Sequence, residues 1–552
     1  MNRKNILILI AMAVCLYFFK LGSFSLYDAA ETTYGEFVKN MLGMKDWLTF
    51  HYNGQIIFDK PPLYYWFAVI FSKLIGFNEW AMRLPAAISG LLTVIVTYLL
   101  GKTFYNKQVG FLSGIIVMTA FQFLVQSRIA ELDVVLTLLM TSAILCFYLG
   151  YTSGEKKYYT LSYVPMALAV LIKGILGVAL PGCAIFLFLL IKGELKILKE
   201  MRILSGIVII TLIGLPWYLA EYLIHGQVFL DFALGFLFLS RFQGAVCGHT
   251  GPWYYYFLAL ILGFAPWSQF IPFAFWRAYK EVSSPNSQLR TPMLLSLCFV
   301  IPAFIVFSVA KTKIPNYILP LYPFLAIMVG KLWAEVLSEP ENKFSAPQES
   351  KTRINSRFDK NGTANLFAGS YGITLSNILF AVVIALIFIG CIMIANSNYP
   401  TQYISLLPSL YTLAAILVLG GVISITAYFL KKYTLSFAAI PTMVFIITLI
   451  LTVWALPEVE NFKGAKELGK ELNIVIKPNQ IIAAYNVGNR PSVVLHSPKP
   501  VKFLETEKEL SVYINHKKGY VFTLVEEYEK MKERLPARTK VLAKKGDLLI
   551  LY

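Results

Sequence analysis

Charge is scarce in this chain, and negative charge scarcest of all. Asp and Glu together number 31 of 552 residues, and charged residues of all kinds make up 14%. Soluble proteins carry about 25%, so a water-exposed globular fold is excluded for most of the length. Cysteine is also sparse: Cys15, Cys146, Cys183, Cys247, Cys298 and Cys391 include no Cys-x-x-Cys pair, which argues against a zinc ribbon and a disulfide framework. All but Cys247 fall in apolar runs, where a thiol behaves as a small apolar side chain. No Walker A loop, Rossmann glycine pattern or HExxH motif is evident, which argues against an ATP-driven pump, a dehydrogenase and a zinc protease. No internal repeat is evident either.

What the chain has instead is long hydrophobic runs. It is 57% hydrophobic and 15% aromatic, with a mean hydropathy of +0.63. The formal net charge is +18. Most of that excess lies in short loops between apolar runs, the pattern that orients a polytopic membrane protein, and nucleic acid is excluded as a partner. A spanning helix needs about 20 mostly apolar residues. On that measure the chain offers about thirteen spans, with cores at 6–19, 84–100, 109–125, 134–151, 159–172, 176–191, 203–223, 255–275, 293–310, 317–333, 373–394, 406–429 and 435–456. The first follows a basic start and lacks a small-residue cleavage site, so it reads as a helix and not a signal peptide. Segment 63–76 is short, follows two prolines and contains Lys73, which suits an interfacial or re-entrant helix. Counting it as a span would turn the basic loops outward, against the positive-inside rule.

Three polar regions remain: a long outer loop at 20–83, a charged stretch at 334–371 that reads as a flexible cytoplasmic loop, and the end of the chain. After residue 456 short β-type runs appear at 481–487, 492–495, 520–525 and 548–551, with an amphipathic helical stretch at 463–472. The expectation is therefore an all-α polytopic membrane domain over 1–456, followed by a small soluble α/β domain over 457–552. An odd number of spans puts that domain outside the cell.

On the same threading, ionisable residues gather at the outer mouths of the helices: Asp28, Glu31, Lys60, Arg83, Arg128, Glu131, Asp133, Lys173, Lys311 and Lys313. Asp28 and Glu31 share a helix face and could accept a proton, although Asp28 also suits a helix cap. Lys60, set between Asp59 and two prolines beside the aromatic run Tyr64-Tyr65-Trp66, suits a lipid-linked phosphate, or simply snorkels. Arg128, Glu131 and Asp133 crowd the mouth of one helix. Lys173-Gly174 makes a tight outer hairpin with an exposed cation, and Lys311 and Lys313 repeat the theme. His249 and Asp59 are residue types that hold a divalent metal, but two ligands do not make a set.

These residues carry a resemblance. The pieces Glu31-Thr-Thr-Tyr34-Gly-Glu36, Gly43-Met-Lys-Asp46-Trp47, Asn53-Gly54, Phe58-Asp59-Lys60-Pro61-Pro62 and Arg83-Leu-Pro85 follow one another in the first loop. Arg128 to Asp133, Lys173-Gly174, His249 to Tyr256 and Lys313 to Pro323 continue the series to about the tenth span. In order and spacing they resemble the bacterial relatives of dolichyl-phosphate-mannose protein mannosyltransferases, most nearly glycosyltransferase family 83, which includes the lipid A aminoarabinose transferase. The resemblance implies a GT-C fold in the bacterial cytoplasmic membrane, with its site on the extracytoplasmic side. It implies inverting transfer of a sugar from a polyprenyl-phosphate donor to a lipid or protein acceptor, with no nucleotide and no required cofactor. Lys60, Arg128 and Lys173, with Arg83, Lys311 and Lys313, would hold the donor phosphate. Tyr34, Tyr64, Trp66, Trp253, Tyr254 and Tyr317 would line the substrate groove. The family's first loop usually reads Asp-Glu, and here Ala30 stands where the Asp belongs. That leaves Asp28, Glu31 or Asp133 as the base, or altered chemistry. A transporter or a non-catalytic binder of lipid-linked sugars is the alternative.

Overall fold

Apolar runs dictate helices wherever backbone polar groups lack water, because only a helix satisfies them within one segment. The computed structural model describes residues 3–233, 235, 250–283, 290–338, 406–516 and 519–552. Helix α1 (Arg3–Phe18) leads into the first loop. Within the loop, α2 (Ala30–Met44) is amphipathic: Tyr34, Phe37, Val38 and Met41 recur at helical spacing and are buried. A hairpin follows, β1 (Phe50–Tyr52) and β2 (Gln55–Ile57), turned by Asn53 and Gly54, both at positive φ. Helix α3 (Leu63–Ile75) begins after Pro61-Pro62 and is 13 residues long, too short to span.

Helix α4 (Glu79–Phe104) starts at Asn78, whose side chain accepts a hydrogen bond from the Ala81 amide. The expected single span at 109–125 is two helices, α5 (Lys107–Thr119) and α6 (Phe121–Gln126). Ala120 is extended between them, and the freed Phe121 amide donates to the Ala265 carbonyl at 2.8 Å. Helices α7 (Leu132–Ser153), α8 (Lys156–Lys173) and α9 (Leu176–Lys192) follow, with Gly154 and Gly174 ending the first two. Six described helices are long and apolar enough to cross a membrane, and two bent pairs raise that to eight. One pair, Ile203–Gly214 with Pro216–His225, bends by 48°; the other, Tyr255–Gly263 with Ser268–Ser283, bends by 119°. Proline stands at or near both breaks, where it cannot donate to the helix. The expected loop at 334–371 begins later than its polarity suggests, since helix Tyr322–Leu337 runs through its first residues. Span 373–394 lies outside the described residues.

The end of the chain builds a mixed five-stranded sheet in the order β4-β3-β5-β7-β6, from β3 (Ile482–Tyr485), β4 (Val501–Leu504), β5 (Tyr520–Leu524), β6 (Val541–Lys545) and β7 (Leu548–Leu551). Successive residues supply opposite faces: Ile482, Phe522 and Ile550 pack into one apolar cluster, Ala483, Val521 and Leu549 into another. Covering both faces explains why these strands read as continuous apolar runs. The stretch 492–495, expected as a strand, is helical (Pro491–His496), because Pro491 occupies the first turn, where its missing N–H costs nothing. Strands β4 and β6 carried too little apolar signal to be expected.

This C-terminal unit sits on the first loop. Asn53 exchanges two hydrogen bonds with the Val501 backbone, at 2.9 and 2.7 Å. Lys39 donates to the Leu495 carbonyl at 2.7 Å, and Lys466 pairs with Glu79. Leu495 joins the apolar core of the helical part, opposite Gly35, where a Cβ would stand 3.2 Å from its methyl.

Candidate active site

Lys60 and Lys173 come together across the fold. Lys60 is carried by the loop before α3 and Lys173 by the last turn of α8, and both line one cavity of about 430 Å³. Tyr218, Thr312 and Tyr317 add polar atoms, while Val170, Leu176, Ile210, Val306 and Phe307 make its walls apolar. Two lining residues, Ile175 and Leu215, are 52% and 46% exposed, so the cavity is open on a side that presents apolar surface. Lys60 donates to the Tyr34 hydroxyl and lies 4.7 Å from the centre of that ring. Lys173 pairs with Asp133 and lies 4.2 Å from the centre of the Tyr317 ring. Burial works against the charge of Lys60, but Tyr34, Asp59 and Glu131 outweigh it and raise its pKa, so it stays cationic. An ammonium has three N–H groups, and one partner leaves others for a ligand. Lys173 is not the exposed hairpin cation expected: its side chain is only 8% exposed.

The other expected phosphate cations are engaged elsewhere. Arg83 is fully buried; it holds Glu31 through two nitrogens at 2.9 and 2.7 Å and donates to the carbonyls of Leu21, Phe24 and Ser25. Arg128 donates to the carbonyls of Leu16 and Phe19 at the end of α1. Lys313 donates to the carbonyls of Ser308 and Ala310, just after helix Arg290–Val309. Arg128 and Lys313 satisfy carbonyls that a helix end leaves without a partner and Arg83 satisfies carbonyls of the loop after α1, which is pressing where water is scarce. Lys311 is exposed and does not line the cavity, whereas Thr312 between the two lysines does.

The aromatic expectations divide similarly. Tyr317 lines the cavity and Tyr34 braces Lys60. Tyr64 is buried against the Met82 carbonyl, and Trp66 donates to the Trp47 carbonyl at 2.7 Å, so both fasten the loop and neither lines the groove. Trp253 and Tyr254 are 75% and 45% exposed and lie off the cavity. Asp59 accepts from Tyr65 at 3.3 Å. Its expected metal partner, His249, lies outside the described residues, and no cluster of three metal-ligating side chains occurs among those described.

The family model for dolichyl-phosphate-mannose-protein mannosyltransferases matches residues 59–219, the stretch that carries Lys60, Asp133 and Lys173. An uncharacterised protein of Aquifex aeolicus is 28% identical over 88% of this chain and 85% of its own length. An undecaprenyl phosphate-alpha-4-amino-4-deoxy-L-arabinose arabinosyl transferase of Proteus mirabilis is 28% identical over 60% of this chain and 59% of its own length. The match therefore spans less than two thirds of that named transferase. Among solved structures, ArnT from Cupriavidus metallidurans bound to undecaprenyl phosphate superposes with a TM-score of 0.78 at 18% identity, covering 100% of this chain and 98% of that one. The resemblance read in the sequence is borne out. The chain has the fold of that transferase and resembles the aminoarabinose transferases in sequence over about 60% of its length.

Within that fold the carboxylates take different roles from those expected. Glu31, 1% exposed, is sealed by Arg83 and also accepts from the amides of Tyr27 and Ala130. Asp28 faces the C-terminal unit, accepting from the Ser492 amide at 2.7 Å and its hydroxyl at 2.8 Å. Their lone pairs hold the loop and the C-terminal unit in place. Asp133 steadies Lys173. Glu131 was placed with Arg128 and Asp133 at a helix mouth but not among the candidate bases. No local signal separated it from its neighbours, because only tertiary contacts reveal which acid is left without a partner.

Proposed function

We propose that the chain is an integral-membrane inverting glycosyltransferase that moves a sugar from a polyprenyl-phosphate donor to a lipid or protein acceptor. The observation that carries this reading is the cavity: two half-buried lysines at a polar end, apolar walls and an open apolar side. That is the shape and chemistry of a phosphodiester attached to an isoprenoid chain. In the transfer, the acceptor's nucleophile attacks the anomeric carbon as the bond to the phosphate oxygen breaks. The electron pair leaves on the polyprenyl phosphate, and Lys60 and Lys173 stand where that charge grows. A carboxylate takes the acceptor's proton. No nucleotide or other cofactor is needed for these steps.

The site belongs on the extracytoplasmic side of the bacterial cytoplasmic membrane, with about thirteen crossings and a separate α/β domain over 457–552. Contact between the first loop and the C-terminal unit supports placing both on one side. The test is transfer by the purified protein in nanodiscs, offered undecaprenyl-phosphate sugars together with bacterial lipid extract and protein. Released undecaprenyl phosphate, matched by a new glycolipid or glycoprotein in mass spectra, is the expected result. Binding of undecaprenyl phosphate without release across the donor panel would overturn the enzymatic reading in favour of a binder or transporter.

A further inference from the structure

Five of the carboxylates on the first loop and at the start of α7, the segments next to Lys60 and Asp133, are candidates for the base, and four of them are committed. Glu31 is held by Arg83, Asp28 by Ser492, Asp133 by Lys173 and Asp59 by Tyr65. The fifth is Glu131. It occupies the residue just before α7, with extended backbone at φ −131° and ψ 141°, and is partly buried. Among the described residues its carboxylate accepts no hydrogen bond and forms no ion pair. A partly buried carboxylate with no partner is costly, and such groups persist chiefly where function retains them.

It does not line the cavity, but it stands near the two lysines that do and is two residues from Asp133, the partner of Lys173. The charge of Glu131 acts on Lys60 and Tyr34 from the first loop, and on Tyr64 and Tyr65 at the start of α3. Lys173 from α8, Asp133 from its own helix and Glu31 from α2 act on it in turn. Glu131 thus stands among the cations assigned to the phosphodiester, close to where the anomeric carbon attached to that phosphate must lie.

We infer that Glu131 is the general base of the transfer, taking over the task of the aspartate whose place Ala30 occupies. The inference rests on the glycosyltransferase reading and deepens it. When the acceptor oxygen or nitrogen bonds to the anomeric carbon, its proton passes to a Glu131 oxygen as the electron pair of the breaking bond leaves on phosphate. The pKa of Glu131 suits the task. Burial raises it, Lys60 and Lys173 oppose, and Asp133 and Glu31 add, giving about 7. A base must be deprotonated to act, so turnover falls as pH drops through that value and is full above it.

The test measures three quantities on the full chain in nanodiscs: binding of undecaprenyl phosphate, release of undecaprenyl phosphate from the donor panel, and the pH profile of that release. Glu131→Gln should bind undecaprenyl phosphate as the unsubstituted protein does, lose at least about 100-fold in kcat, and lose the acid limb near pH 7. Glu131→Asp should restore part of the rate together with an acid limb. Asp28→Asn should keep kcat within a few-fold. Three outcomes overturn the inference while leaving the enzyme in place: Glu131→Gln retaining its rate, retaining the acid limb, or losing undecaprenyl phosphate binding along with turnover. If the unsubstituted protein binds undecaprenyl phosphate but releases none from any donor, the glycosyltransferase reading falls first, and the base falls with it.

Discussion

Arg83 and Lys60 flank the same short helix α3, carry the same charge and are both buried to a large extent, yet they do different work. Arg83 spends its guanidinium on Glu31 and three backbone carbonyls. Lys60 makes one hydrogen bond, to a tyrosine, and faces a cavity. Arg128 and Lys313 side with Arg83, Lys173 with Lys60. A cation at the mouth of a membrane helix therefore has two possible clients, unpaired backbone carbonyls nearby or an anionic ligand. Arginine, with five N–H groups in a fixed fork, serves the first well. Lys60, held by a single hydrogen bond to Tyr34, remains available for the second.

The largest effect should come from cutting the first kind. Arg83→Ala leaves Glu31 buried without a counter-charge and three carbonyls without a donor, a loss of about 3–5 kcal/mol. Thermal unfolding in detergent should shift down sharply, and Arg83→Lys should not rescue it, because one ammonium cannot span the carboxylate and the carbonyls. If Arg83→Ala instead folds normally and only weakens undecaprenyl phosphate binding, the division of the cations is wrong.

Lys60→Met and Lys173→Met should do the reverse. Each removes a charge-assisted contact worth about 1.5–3 kcal/mol, so undecaprenyl phosphate affinity should fall roughly 10- to 100-fold. The unfolding temperature should move little, although Lys173→Met leaves Asp133 unpaired and should be the more disturbed of the two. Titration with undecaprenyl phosphate separates these outcomes from unfolding. An unchanged affinity in both variants would detach the cavity from the donor.

Most of the fold was legible in the sequence. Every expected apolar run within the described residues is helical, in one piece or several, although only six of these helices, or eight with the bent pairs, are long and apolar enough to cross a membrane. The break at Ala120 was not legible, because the Phe121 amide it frees is taken up by the Ala265 carbonyl, distant in sequence, whereas the break near Pro266 had a local signal in the proline that hydropathy alone passes over. The site was legible as a set of segments and less so as a set of residues. Residues 311–313 were the right stretch, but Thr312 faces the cavity while Lys313 turns to a helix end. Likewise 128–133 gathered the relevant charges, yet which acid would be left unpartnered was decided by Arg83 and Lys173, two residues on other helices.

The comparison can be sharpened at Tyr34, which touches only the second kind of cation. Its hydroxyl accepts from Lys60 and its ring packs edge-on against Tyr65, with centroids 5.4 Å apart. Tyr34→Phe keeps the ring and removes the acceptor, a change of about 0.5–1.5 kcal/mol. Two effects compete. Lys60 loses an orienting partner, which weakens the donor complex, and it also gains a free N–H, which strengthens it. Because Asp59 and Glu131 still hold the charge on Lys60, the positioning loss should win by a small margin, a two- to ten-fold drop in undecaprenyl phosphate affinity at unchanged stability. A gain in affinity would mean that Tyr34 restrains Lys60 in the empty site and that the phosphate displaces it on binding.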